Sequence, residues 1–563
     1  MATAAYASRV KSRSGCGCGG GTGINRRTQY LIAIALAIFP IVYGLFGLHL
    51  GQDIGFDTLN YHYFGPYWLL TNHLHDFVPA QEQTYLSPLL NVPTYLLQRS
   101  ISAREASFLI AAAEGTAIVP LYFIARRVTS NRGVALVVAV LGLFSAIAWS
   151  EIGTSFGDNL VAIPLITSIA LVGRFHATTD RDKGPGRWLL VAAGLASGIG
   201  AGLKLAEVPI ALGFLVAIPF LDDSSRARIT GSLKYLAGAI LGAGIAYGYW
   251  AYELISRFGG NPFLPFFNNI FHSQFAPISK NTDNRFLPHG FLEFVFYPIV
   301  WTLHPHHSEE VGFRELTLPI CEVLLFLAVA TRLYRLARTR EWQPLFASGL
   351  ERFIVIGSVA SILIWADVFG IYRYITVIEM LGFVLIWILT KSVLAGLSPV
   401  SVNIRAFATV IVLLFILCVA TEQPANFGRS GFAAKYFTVS VPKPLRSANN
   451  TLLMLGTEPY GYVIPFLPPS TDVIRLQGSL VPTEYTNALI ADRLKRAASV
   501  YIIWMSVQRR AQFLRDNAFE WTNFGFGLAT TSCSAFKTER GDERAYVRYC
   551  RLVPESVAPA APR

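Results

Sequence analysis

The sequence predicts a helical protein that crosses a membrane many times and carries a water-soluble α/β domain at its C-terminal end. Three observations predict this class. Only 15% of the 563 residues are charged and 53% are hydrophobic, whereas soluble domains carry about 25% charged residues. The apolar residues gather into runs of spanning length, broken by short charged stretches. After Glu422 the pattern changes to short apolar strand candidates alternating with helical stretches, the signature of a small α/β unit.

A helix needs about 20 apolar residues to cross a hydrocarbon core about 30 Å thick. About eleven runs qualify, near 30–50, 105–125, 133–149, 159–175, 188–204, 206–221, 232–252, 316–334, 353–371, 374–391 and 405–421. The basic residues fall on alternate sides of these runs. One set lies in the N-terminal tail (Arg9, Lys11, Arg13, Arg26, Arg27) and in the loops holding Arg126, Arg127 and Arg132; Arg174, Arg181, Lys183 and Arg187; Arg226, Arg228 and Lys234; and Arg332 to Arg352. The last loop of this set, between Lys391 and Arg405, is short, and the opposite loops are sparse in Lys and Arg for their length. By the positive-inside rule the N-terminus is cytoplasmic and residues 422–563 lie outside, in what reads as a bacterial inner membrane. The net charge of +12 is then a topology signal, and scattered basic loops exclude a nucleic-acid partner. Residues 1–29, with GCGCGGGTG at their centre, read as a disordered cytoplasmic tail, and Cys16 and Cys18 as part of it. The first apolar run is expected to stay as a membrane helix.

The membrane domain, 30–421, spends its polar chemistry in two long outer loops, 51–104 and 253–315. The first is rich in Tyr and Trp and has two half-length apolar stretches, 59–70 and 86–97, suited to helices lying at the interface. Together the loops are expected to roof a cavity at the outer surface. Asp53 and Asp57 follow the first helix directly, and Asp158 sits in the short connection GTSFGDN. A carboxylate at a covered membrane boundary suits a general base. Lys204, in GAGLKLAEVP, and Arg373, in FGIYRYITVIE, are expected on the same face. A cation there either snorkels to water or meets an anion, and a lipid phosphate or pyrophosphate fits. Arg285 and Arg314 are weaker candidates of that kind. Glu114 and Glu379 read as partners of neighbouring helices. The histidines near His73, His75 and Asp76, and His304, His306 and His307 before Glu309 and Glu310, lack the spacing of a defined metal site. No cofactor is required, and a divalent metal is compatible with the sequence.

Several of these stretches carry a family resemblance. Asp57, Tyr61 and His62 in a D-x-x-x-Y-H setting, GLKLAEVP, GNPFLPFFN, GFREL and RYITVIE resemble, in order and sidedness, polyprenyl-phosphate-sugar-dependent glycosyltransferases of the GT-C fold. That group includes protein O-mannosyltransferases and lipid A aminoarabinose transferases. The resemblance spans roughly 30–421. It implies a first-loop acidic residue as catalytic base, matched by Asp57 with Asp53 as fallback, and a second acidic residue in the next outer loop, matched by Asp158. It implies inverting transfer of a sugar from a polyprenyl-phosphate donor to a hydroxyl of a glycan, lipid or protein acceptor, with Lys204 and Arg373 holding the departing phosphate. The chain departs from the family in spacing Asp53 and Asp57 four apart, where members show an acidic pair. The alternative is a transporter or flippase of lipid-linked sugars, which would favour paired halves; no internal repeat is evident.

In 422–563, TLLMLG, DVIRLQ and SVYIIW are strand candidates, with two more near 530–537 and 545–552. Helical stretches near 458–467, 484–497 and 507–520 separate them, so the sheet is expected to be mainly parallel. Cys533 and Cys550 lie on the two last strands and are expected to form a disulfide in an oxidising compartment, while Cys321 and Cys418 fall inside helices as thiols. GTEPYGY reads as a helix-starting turn or a ligand loop, and the domain suits substrate presentation or acceptor recognition.

Overall fold

The computed structural model describes residues 26–557, apart from 72, 74–80, 180–183, 223, 282, 341, 398–403, 481, 506–509 and 530–532. The tail with Cys16 and Cys18, the pair His75 and Asp76, and Arg181 and Lys183 lie outside the described residues. Among the described residues, eight helices are long and apolar enough to cross a membrane: Arg26–Leu50, Ala103–Thr129, Asp158–His176, Gly184–Leu203, Ser225–Arg257, Thr317–Thr339, Gly349–Val368 and Ile404–Thr421. A ninth crossing is available if Tyr372–Met380 and Gly382–Leu397, bent by 58° at their break, count as one span. The remaining two expected runs fold as shorter apolar helices, Arg132–Leu143 and Leu205–Phe220. Thus every expected run is helical, but the count of eleven full spans falls to eight or nine. The first and last spans show why lipid is the solvent. Ile34, Ile38, Ile41 and Leu45 on one, and Leu413, Ile416 and Val419 on the other, are exposed on the protein surface, where only hydrocarbon would cover them.

Small residues set the closest helix pair. Gly198 faces the Ala239 carbonyl and Gly238 faces that of Val191, so that a Cβ at either place would collide with backbone. The helices Gly184–Leu203 and Ser225–Arg257 therefore pack backbone to backbone, the small-xxx-small solution to association in lipid. Alternate ends of the spans carry the arginines. Arg352 donates to the Phe220 carbonyl (3.0 Å), Lys391 pairs with Glu351 (2.8 Å) and Arg335 donates to Gln343 (2.6 Å). The opposite end carries the long loops. The first of these folds as a π turn Thr58–His62 followed by helices Phe64–Leu70 and Val92–Ser100, close to the two expected half-length stretches.

The C-terminal unit is a seven-stranded mixed sheet. Its strands, numbered after the short pair β1 (Gln52–Asp53) and β2 (Arg429–Ser430), are β3 (Phe437–Val439), β4 (Asn450–Leu455), β5 (Asp472–Arg475), β6 (Ser499–Trp504), β7 (Phe526–Leu528), β8 (Ser534–Arg540) and β9 (Glu543–Pro554). The order is β3-β8-β9-β6-β4-β5, with β7 also on β9. Only β5, β4 and β6 run parallel. The expectation of a mainly parallel sheet is corrected here: β8 and β9 form a tight hairpin, and β9 then lies antiparallel to β6. Cys533 and Cys550 are disulfide-bonded with Cα atoms 4.7 Å apart, and Cys321 and Cys418 are buried thiols.

This unit is tied to the membrane domain through main chain. In β1–β2, Gln52 opposes Ser430 and Asp53 opposes Arg429. The Arg429 guanidinium donates to the carbonyls of Ser150 (2.9 Å) and Ile152 (2.8 Å). Gln81 bridges the lips of two C-terminal loops, donating to the Thr457 carbonyl (3.3 Å) and accepting from Ser479 N–H (3.0 Å).

Candidate active site

The segment Ala146–Asp158 has little regular hydrogen bonding of its own beyond one helical turn, so its backbone amides need outside partners. Three buried carboxylates from three other elements supply them. Glu379 accepts from Ile147 N–H (2.9 Å), Glu114 from Gly153 N–H (2.9 Å) and Asp53 from Ser155 N–H (3.0 Å). Glu379 thus pairs with the neighbouring short helix Ala146–Ser150, as expected, while Glu114 pins the turn that follows it. The effect is to fix Ser155, Phe156 and Asp158 at the loop-bearing end of the bundle.

Asp53 is fully engaged. Besides Ser155, it accepts from Gly55 N–H (2.8 Å) and from the Thr58 hydroxyl, and it is buried. Thr58 in turn meets the Ser155 hydroxyl (2.5 Å), which also bonds His62 Nδ1 (2.9 Å). This chain of polar groups ties the turn 53–62 to the loop 150–158. Burial, then the Lys204 cation, push the His62 pKa down to about 3, so the ring is neutral and acts within the clamp.

Asp57 stands apart from that clamp. Its side chain is 13% exposed, and its ion-pair partner is Arg373, with Oδ2 to guanidinium 3.8 Å. That separation exceeds a hydrogen bond, leaving the carboxylate open to a proton-bearing ligand. Asp158 is different: it is fully buried at the start of its helix and bonded to Lys204 Nζ (2.5 Å). Lys204 also donates to the Phe156 carbonyl (3.1 Å). It occupies an extended break between Gly184–Leu203 and Leu205–Glu207, which turns its side chain back toward the loop. Burial opposes the ammonium charge, but the Asp158 carboxylate outweighs it and raises the Lys204 pKa. Arg373 donates to Glu309 Oε1 (3.2 Å) and lies over the rings of Phe156 (5.6 Å) and Tyr374 (5.2 Å). Lys204 is also 5.2 Å from the Tyr374 ring. The two cations therefore share an aromatic wall, each partly exposed (18% and 16%), and are held by acids rather than snorkelling freely.

Asp57, Asp158, Lys204 and Arg373 thus form one cluster. Arg285 and Arg314 do not join it. Arg285 is largely exposed and held by Asp283 (2.7 Å) and Glu310 (3.0 Å). Arg314 is exposed, and its backbone bridges Gln423. His73 stacks on Tyr67 and bonds the Pro469 carbonyl (2.5 Å), while His307 faces Glu293 (3.4 Å). Among the described residues no group of three His, Cys, Asp or Glu side chains is arranged to hold a metal ion. Glu309, Tyr374, Phe156, Ser155 and Arg429 were missed as site residues. Tyr374 adjoins Arg373 in sequence, but nothing local pairs Glu309 with an arginine 64 positions away.

No family model and no curated protein matches the chain. The solved structures similar to it include two of one protein. One is ArnT from Cupriavidus metallidurans bound to undecaprenyl phosphate, 14% identical, TM-score 0.47, covering 95% of this chain and 100% of that one. The other is the same protein in the apo state, 12% identical, TM-score 0.48, covering 95% and 99%.

Proposed function

We propose that this chain is a membrane glycosyltransferase that moves a sugar from a polyprenyl-phosphate donor to an acceptor hydroxyl at the outer face of the membrane, with inversion. The observation that carries this reading is the meeting of an unencumbered carboxylate, Asp57, with two partly exposed cations, Lys204 and Arg373, at the loop-bearing end of the bundle. An acceptor hydroxyl is a poor nucleophile at neutral pH, and a positioned base contributes about 10²–10⁴-fold. Asp57 takes the hydroxyl proton as the oxygen attacks the anomeric carbon. The bond from that carbon to the phosphate oxygen breaks on the opposite face. The charge that collects on the departing lipid phosphate is met by Arg373 and Lys204, where partial burial strengthens both contacts. The arginine-bearing ends of the spans face the cytoplasm, so the site and the C-terminal domain face outward.

Purified protein incubated with radiolabelled polyprenyl-phosphate sugars and a panel of acceptors tests this. Transfer of label with release of polyprenyl phosphate is expected. Translocation of intact donor across a vesicle membrane without bond cleavage would overturn the reading in favour of a transporter.

A further inference from the structure

Behind the Lys204–Asp158 pair lie two carboxyl groups that the transfer reaction does not use. Glu151 and Glu207 are fully buried, and none of their four carboxyl oxygens faces an N–H or hydroxyl donor. Asp158 Oδ1 faces none either, but the Glu151 and Asp158 carboxyl groups lie within hydrogen-bonding range of each other. The three acids are electrostatically coupled to one another through Asp158, and all three to Lys204. Arg373 bears on Glu151 from further off. The other titratable groups facing the Lys204–Asp158 pair are Tyr61, His62 and Tyr374, and Tyr43 faces Glu151. If all three acids were ionised, one ammonium would face three buried negative charges, and a phosphate would be repelled. Burying an unpaired carboxylate is costly, and the usual escape is to keep the proton.

We propose that Glu151 and Glu207 are neutral carboxylic acids built into the floor of the site, positioning Asp158 so that Lys204 is free to take a phosphate. Glu151 is the donor to Asp158: when a phosphate engages the ammonium, the Asp158 carboxylate stays buried against the Glu151 O–H and no proton leaves the site. Burial, then the Asp158 charge, hold the Glu151 pKa well above the usual carboxylate range, with Lys204 opposing. The sign follows. A group that must be protonated supports binding below its own pKa and ceases to do so as pH rises through it. The inference rests on Lys204 as the phosphate partner, and two readouts separate its failure from the failure of that reading.

The first readout is binding of farnesyl phosphate to the purified full chain in detergent, between about pH 6 and about pH 9. Wild-type affinity is expected to fall on the alkaline side. Glu151→Ala is expected to weaken binding about tenfold at neutral pH, and Glu151→Gln, which keeps the shape and donor of the neutral acid, to recover it and flatten the alkaline fall. Glu207→Gln added to Glu151→Gln is expected to remove the fall. The second readout is the infrared carboxylic-acid carbonyl band at neutral pH, which is expected to be weaker in the double glutamine variant than in wild type by the contribution of the two acids. A folded Glu151→Gln protein that binds as poorly as Glu151→Ala would overturn the inference, because it would mean that the charge is needed. An infrared band unchanged between wild type and the double variant would also overturn it. A band that weakens in the double variant, with no farnesyl phosphate binding at any pH, would instead refute the phosphate reading, and with it the assigned role of the two acids.

Discussion

Replacing Arg373 by lysine isolates what the guanidinium does beyond its charge. The planar group reaches Glu309 at 3.2 Å with one nitrogen and Asp57 at 3.8 Å with the other. A single ammonium cannot occupy both positions, so Arg373→Lys forfeits one charge-assisted contact to a phosphate placed between them. Such a bond contributes about 1.5–3 kcal/mol, which predicts a loss of roughly 10- to 150-fold in donor kcat/KM, since about 1.4 kcal/mol is tenfold. Arg373→Ala loses more and also leaves Glu309, fully buried, without its cation. Breaking a buried pair costs about 3–5 kcal/mol of stability, and the partial exposure of Arg373 places this case at the lower end. Donor kinetics with a fixed acceptor, alongside thermal unfolding in detergent, check both numbers. An Arg373→Lys enzyme with wild-type donor kcat/KM, or a loss appearing only in acceptor KM, would refute the reasoning.

Three further outcomes follow. Lys204→Ala is expected to strip Asp158 of its partner and weaken donor use by about tenfold or more, read from donor KM. Reducing the Cys533–Cys550 bond, whose sequence separation is 17, is expected to destabilise the C-terminal domain by about 3 kcal/mol by loop-closure entropy, read from unfolding with and without reductant. His62, with its pKa held near 3 against 6.5, takes up a proton only on unfolding across most of that range. Wild-type stability is therefore lost as pH falls below about 6.5, by about 2 kcal/mol at about pH 5; a His62→Gln variant that showed the same acid slope would contradict this.

How much of this was legible in the sequence depends on the range of the interaction. The spans were legible because a run of apolar residues is a local signal, yet Arg132–Leu143 and Leu205–Phe220 show that hydropathy alone does not say whether a run is long enough once folded. The disulfide pairing was legible because its two cysteines flank one hairpin. Asp57, Asp158, Lys204 and Arg373 could be named because polar residues at the loop-bearing helix ends are expensive unless used. Their roles could not be told apart. Asp53 and Asp57 look alike in GQDIGFDT, and only the arrival of Ser155, 102 positions later, reveals Asp53 as the clamp. The same holds for Glu114, Glu379 and Glu309, whose partners lie 39, 232 and 64 positions away. The sheet misled for a related reason: β4, β5 and β6 follow a parallel rhythm, while the return of β9 against β6 leaves no mark in local periodicity.

The central claim is that Asp57 is the base, and Asp57→Asn tests it most directly. The amide keeps the size and much of the hydrogen bonding of the carboxylate but cannot take the acceptor proton. On a working donor and acceptor pair, turnover is expected to fall by about 10²–10⁴-fold, with donor binding and expression as in wild type. Asp53→Asn is expected to act through the clamp, lowering stability together with activity. Near wild-type turnover in Asp57→Asn, with Asp158→Asn inactive while still binding donor, would move the base to Asp158; near wild-type turnover in all three would contradict carboxylate catalysis altogether.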